Sequence, residues 1–377
     1  MATIFDDIKK RLTKAFQQNF DEGLECGASM ALYHKGKKVL SLYGGFMDSA
    51  KTQLWQPDTL TLIWSAGKGI ATACLLHILQ EKGIPLEATV ATFWPEFAAA
   101  GKEKITIGQL LSHRAGLSAL DATGLSLTDH DAVASALAAQ SPNWNYDNTH
   151  GYGARTFGFL IDDLLRRLTD GEPLASYWRR VFAIPLNLDL WFGLPSEHLE
   201  RTASVIPPKS PPPFSEFSQA YGDLTSLTRR TFAEPGGNRS LQIMNQSEIR
   251  QSPIISLGAI ASAEALAKFY SILAMQEKNA YFHPTTLMWM QTPLAHGIDR
   301  VLLTETTFSA GFMMNNRDSI MGSSHYAFGH PGAGGALAFA DPETELGFAY
   351  LPNAMHPGAM PGSRTQRLIE ALMENRR

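Results

Sequence analysis

The sequence predicts an α+β fold in the form of an α/β sandwich. An antiparallel sheet is built from both ends of the chain and flanked by helices, and a mostly helical insertion lies between. Three observations predict it. Strand-like runs cluster at residues 28–43 and again at 308–351. Helical periodicity dominates the stretch between them. An amphipathic helix opens the chain and another closes it.

In chain order, Ile4, Ile8, Leu12, Phe16 and Phe20 recur every four residues with charges between them, which is one face of a helix. Ala28–Tyr33 and Lys38–Tyr43 are β-prone runs around a Gly36-containing turn, the pattern of a hairpin. Ser65–Lys82 is rich in Ala, Leu and Ile and stops at Gly83, a good helix end. A short helix is expected from Thr106 to Leu111, with Gly116 ending that region. A longer one has Phe157, Leu160, Ile161, Leu164, Leu165 and Leu168 on one face. Residues 203–253, with three proline clusters, read as a long irregular excursion that shapes the rim of a cleft. Helix returns over Ser262–Met275. Phe308–Met314, Ala336–Ala340 and Leu346–Leu351 read as strands, the last two joined by a turn at Asp341-Pro342-Glu343-Thr344. Leu368, Ile369, Leu372 and Met373 mark the closing helix. The expected division is 1–83 with 271–377 as the sheet-bearing unit and 84–270 as the insertion, with a ligand site in the cleft between them.

Composition narrows the function. Of 377 residues, 44% are hydrophobic and 18% charged, and the net charge is -4. Such a chain is globular, and it lacks the basic excess that nucleic acid binding calls for. Two distant cysteines, Cys26 and Cys74, give neither a disulfide framework nor a zinc pattern. No run of about 18 apolar residues exists, so no membrane partner is expected. The opening residues lack a basic segment followed by an apolar run, so the expected location is cytoplasmic. No cofactor is expected, and His325 and His330 have no companion that would make them a metal site.

Motif screening removes most catalytic classes. The chain has no G-x-S-x-G, no H-E-x-x-H and no P-loop. Ser65-Ala66-Gly67-Lys68 survives. Of fourteen lysines, only Lys68 has a serine three residues before it. Residues i and i+3 share a helical face, so the amine can reach the hydroxyl. A serine in the first helical turn also sits where developing negative charge is favoured. The plain alternative for these four residues is a helix cap and a solvated lysine.

Further blocks add weight. Leu110-Leu111-Ser112-His113-Arg114-Ala115-Gly116-Leu117, His150-Gly151-Tyr152-Gly153-Ala154 and Phe328-Gly329-His330-Pro331-Gly332-Ala333-Gly334-Gly335 follow in that order. Together with the Ser65–Lys68 motif they resemble the serine β-lactamase and penicillin-binding-protein superfamily, most of all class C β-lactamases and family VIII carboxylesterases. The resemblance runs over roughly residues 5–375 and implies a β-lactamase/transpeptidase-like fold. It implies Ser65 as nucleophile, Lys68 as the group acting on its proton, and Tyr152 as sharing the general-base role. Tyr146, six residues earlier, is the alternative phenol. His330-Pro331-Gly332 would stand in the place of the third motif, and the backbone N–H groups of Ser65 and Ala333 would form the oxyanion hole. Which of Lys68 and Tyr152 carries the missing proton stays open.

Two departures bear on the substrate. Ala154 stands where class C enzymes carry Asn, and His330 stands where they carry Lys. The second removes a permanent cation that would help hold a substrate carboxylate. The expected activity is therefore a serine carboxylesterase acting on a short-chain or aryl ester. A β-lactamase or D-alanyl-D-alanine carboxypeptidase is the alternative, and a non-catalytic scaffold of the same fold is the third reading. His113 and Trp144, Trp178, Trp191 and Trp289 are expected to be structural. The oligomeric state is left open.

Overall fold

The computed structural model describes residues 2–146, 149–237, 240–277, 279–316, 319–358 and 360–373. Helix α1 covers Ala2–Asp21 and leads into a hairpin of β1 (Gly27–His34) and β2 (Lys37–Gly45). Ile8, Leu12 and Phe16 are buried on one stripe of α1 as the periodicity requires; the side chain of Ile4 lies outside the described set. Helix α2 (Gly67–Glu81) follows a single 3-10 turn at Trp64–Ala66. Helices α3 (Thr156–Leu168) and α4 (Ala263–Leu273) come next. The second strand-bearing stretch holds β3 (Ala295–Ile298), β4 (Glu305–Phe308), β5 (Met313–Met314), β6 (Phe328–Pro331), β7 (Leu337–Asp341) and β8 (Leu346–Pro352). Helix α5 (Ser363–Met373) closes the chain.

These strands form an eight-stranded antiparallel sheet in the order β2-β1-β8-β7-β6-β5-β4-β3. The two ends of the chain meet two strands in from one edge, where Ala28 pairs with Pro352 and His34 with Leu346. Side chains alternate across the sheet with the strand period of two. Met30, Leu32, Phe339, Phe348 and Tyr350 point to one face, among the buried residues of α1 and α5. Ala31, Tyr33, Ala338, Ala340 and Ala349 point to the other, among those of α2, α3 and α4. The second face is lined mostly by alanine for a steric reason. Helix α4 lies so close that a Cβ on Gly347 would strike the Ala267 carbonyl and the Ser271 backbone. Phe348 is fully buried, and trimming such a side chain to alanine costs about 3–5 kcal/mol.

The chain is thus an α/β sandwich with helices on both faces. Four details differ from the sequence reading. The strand expected over 308–314 is two short strands, because the chain turns at Ser309–Phe312 with Gly311 at φ +82°. The excursion over 203–253 is not wholly irregular. It carries short helices at Glu216–Gly222, Leu227–Ala233 and Ser247–Gln251. Ser215 and Ser226 cap the first two, whose seven residues are too few to show a periodic stripe. A small three-stranded sheet also joins Thr61–Leu62, Ile260–Ala261 and Leu190–Trp191. Two-residue strands leave no sequence pattern. Helix α4 crosses the expected boundary at residue 270 and packs on the large sheet. Among the described residues no helix is long and apolar enough to cross a membrane.

Candidate active site

Ser65 sits in the 3-10 turn that feeds α2, and it is half-buried while its neighbours Trp64 and Ala66 are buried. Trp64 has φ +53°, in the left-handed region that a bulky residue rarely enters. Strain of this kind costs on the order of 1–3 kcal/mol and persists only where the surroundings enforce it. Here Ile63 N–H donates to the Ala259 carbonyl and Ala66 N–H to that of Ile63, pinning the turn from both sides.

Lys68 is fully buried one turn further on. Its Nζ lies 2.9 Å from Ser65 Oγ, 2.9 Å from the Ala154 carbonyl oxygen and 2.7 Å from that of Ser256. Carbonyls only accept, so Lys68 donates to both. Burial holds the amine well below the usual lysine pKa. A neutral amine would give its two hydrogens to the two carbonyls and turn its lone pair to Ser65 Oγ. This assignment of hydrogens satisfies every polar atom in the group without a buried charge.

Tyr152 belongs to a stretch without helix or strand just before α3. Lys68 Nζ lies 5.0 Å from the centroid of its ring. Burial raises the phenol pKa above its ordinary value, the nearby Ser65 hydroxyl opposes that rise, and the charge of Asp299 adds to it. The hydroxyl is buried and has no hydrogen bond of good geometry. Tyr152 is therefore a neutral phenol beside Ser65, not a tyrosinate.

The segment after β6 closes the other side. A Cβ on Gly332 would collide with the Ile63 carbonyl, so only glycine lets this strand end approach the turn that carries Ser65. Gly332 N–H donates to the Ala336 carbonyl across a tight turn, with half-buried Ala333 inside it. His330 is buried, with its ring centroid 5.6 Å from that of Tyr152. Its Nδ1 donates to the Pro331 carbonyl at 2.7 Å. Burial pulls its pKa down to about 3, so the imidazole is neutral. The fold thus brings Ser65, Lys68, Tyr152, His330, Gly332 and Ala333 around one place.

The sequence model of one protein family, described as Beta-lactamase, matches residues 16–373. The chain belongs to the β-lactamase family. It is 31% identical over 360 residues to an esterase/β-lactamase, LipL, of Mycobacterium tuberculosis, covering 91% of this chain and 81% of that one. It is 34% identical to a penicillin-binding-protein homologue from Caulobacter crescentus, with a TM-score of 0.88 over 97% of this chain and 96% of the other. A family VIII carboxylesterase is 31% identical, with a TM-score of 0.86 over 97% and 96%.

This member of the β-lactamase family holds Tyr152 by a residue that sequence reasoning missed. Asp299 follows β3 and is fully buried. Its carboxylate accepts the Tyr152 N–H at 3.0 and 3.1 Å, that of Val301 at 2.7 Å and that of Leu302 at 2.8 Å. Burial pushes its pKa up to about 6 against those donors. His150 Nε2 stands 3.8 Å away, but burial lowers that imidazole to about 4, so the contact is not an ion pair at neutral pH. A lone Asp after a short strand carries no sequence signal for such a role. His113 also meets this segment. Its Nδ1 accepts the Gly153 N–H at 3.2 Å, and its ring packs 5.2 Å from that of Tyr152. Tyr146 is excluded as the alternative phenol, because its hydroxyl donates to the Gly101 carbonyl at 3.1 Å. Among the described residues no cluster is suited to a metal ion.

Proposed function

We propose that this serine ester hydrolase works through a Ser65-Lys68-Tyr152 acyl-enzyme mechanism on short-chain or aryl carboxylic esters. The observation that carries the reading is the buried amine of Lys68, 2.9 Å from Ser65 Oγ, with two carbonyls oriented to take its hydrogens. Neutral Lys68 accepts the Ser65 proton as Oγ attacks the ester carbonyl. The Ser65 N–H lies in the first turn of a helix, where amides have no partner within the helix. With the Ala333 N–H it would hold the oxyanion, and such donors are worth about 2.7–4 kcal/mol each. The Tyr152 phenol then protonates the leaving alkoxide and becomes a phenolate. In the second half, water attacks the acyl-enzyme and gives its proton to that phenolate. Lys68 returns its proton to Ser65 Oγ, and every group is restored.

The substrate class follows from charge. Neutral His330 supplies no cation where the third motif of a β-lactamase supplies lysine. An ester with no carboxylate at that place loses nothing by this, whereas a β-lactam does. The family VIII carboxylesterase relative points the same way. The test compares turnover of 4-nitrophenyl butyrate and nitrocefin on the wild type, with intact-mass detection of an acyl adduct at Ser65. Fast ester turnover, slow nitrocefin turnover and a butyryl adduct are expected. Nitrocefin turnover above that of the ester would overturn the substrate assignment, and an adduct elsewhere the mechanism.

A further inference from the structure

A second cavity, of about 700 Å3, lies on the Ala154 side of the site and is not lined by Ser65, Lys68 or Tyr152. That volume suits a small organic ligand. Its wall includes Leu125, Ser126, Arg155, Tyr221, Arg229 and Glu234. Two arginines and one glutamate line it. Arg155 is half-buried and donates through Nη1 to the carbonyls of Ala233 and Pro235. Burial pulls its pKa down to about 10, so it stays charged at neutral pH. Arg229 rests against the Tyr221 ring, 5.0 Å from the centroid. Among the described residues neither arginine has a salt bridge within 4 Å. Glu234 offsets one of the two charges at longer range, and its Oε2 is buried without a partner. The cavity therefore carries a surplus positive charge in a partly desolvated wall, where it attracts an anion more strongly than a surface arginine would.

The cavity is also close to the chemistry. Arg155 directly follows Ala154, whose carbonyl is 2.9 Å from Lys68 Nζ. The Ser256 carbonyl holds Lys68 while its hydroxyl donates to the Arg155 carbonyl. Chain geometry then puts the Arg155 Cα within roughly 9 Å of Ser65 Oγ. A chain of six to ten carbons has the reach to bring a carboxylate from Ser65 to the wall that Arg155 borders.

We propose that the Arg155–Arg229 cavity is a subsite for a carboxylate at the far end of the ester substrate, so that monoesters of medium-length dicarboxylic acids are favoured. This rests on the ester-hydrolase reading and names its substrate class. The cation lost from the third motif is thus replaced on a different wall, and it meets a different end of the substrate.

The experiment compares 4-nitrophenyl monoesters of succinic, adipic and sebacic acids with the neutral butyrate, hexanoate and decanoate. The readout is the ratio of kcat/KM, anionic over neutral, at each chain length. In the wild type the ratio should rise above one at adipate or sebacate. Arg229→Gln should cut it tenfold or more through KM, and Glu234→Gln should raise it severalfold. Added salt should lower it in the wild type. A ratio below one at every length, unmoved by either substitution, would overturn the proposal while leaving the esterase intact. Calorimetric titration with adipate and sebacate reads the subsite without turnover. Binding to the wild type that falls at least tenfold in Arg229→Gln supports it even if no ester is hydrolysed. Equal binding to both proteins, or none to either, refutes it.

Discussion

The two halves of the catalytic constellation are built differently. Ser65 and Lys68 are three residues apart at the start of one helix, and a single helical turn sets their separation. Tyr152 stands in a stretch without regular structure. It is held by a carboxylate 147 residues further along the chain and by an imidazole 39 residues earlier. In the proposed mechanism the spacing of base and nucleophile is set by local geometry and the place of the acid by tertiary contacts. A substitution at Asp299 should therefore weaken the phenol's contribution and spare the Ser65–Lys68 spacing.

The largest expected effect tests the shared centre. Ser65→Ala should lose at least about 10⁴-fold in 4-nitrophenyl butyrate turnover and change Tm by no more than a few degrees. Residual turnover near half the wild-type rate would break the mechanism for both halves at once. Lys68→Met should lose about 10³–10⁴-fold; it leaves the Ala154 and Ser256 carbonyls without that donor, so Tm should fall while the protein still folds. Tyr152→Phe should lose about 10²–10³-fold, and the double variant should be little worse than Lys68→Met alone.

Asp299→Asn sharpens the contrast, since Asp299 is a positioning residue in this account. We expect a fall of about 10–100-fold in kcat with KM nearly unchanged. Combined with Tyr152→Phe it should cost almost nothing further in kcat. If it costs the same in both backgrounds, Asp299 does not act through Tyr152. An effect on stability alone would move Tm but spare kcat at a temperature where both proteins are folded.

The smallest expected effect lies in the pH profile. In the proposed mechanism Lys68 works as the neutral amine, so kcat/KM should rise with pH as the amine loses its proton. Burial lowers that pKa, so the rise should finish well on the acid side of the ordinary lysine range. Asp299 is protonated below about 6 and then loses its hold on the Tyr152 N–H, which adds to the acid-side loss. Asp299→Asn should make that limb shallower. Burial keeps the phenol of Tyr152 protonated past its ordinary value, so no alkaline loss from it is expected near pH 9.

Patterning made much of this legible from residue order alone. Four-residue spacing marked α1, and β-prone runs around a Gly36-containing turn marked the β1–β2 hairpin. Both signals are local to the segments that carry them. The Ser65–Lys68 pair was legible for the same reason, since one helical turn is enough to join them. What the order of residues left open was decided by groups that meet only in the folded chain. In the proposed mechanism Lys68 can serve as the base because burial among the carbonyls of Ala154 and Ser256, from two distant segments, disfavours its ammonium. Tyr152 can serve as the acid because burial likewise disfavours its anion. Asp299, the break in the strand at Gly311 and the arginine-lined cavity had no local period or spacing to announce them. Desolvation and long-range contact belong to the packed molecule and to no window of sequence, and it is they that assign the protons.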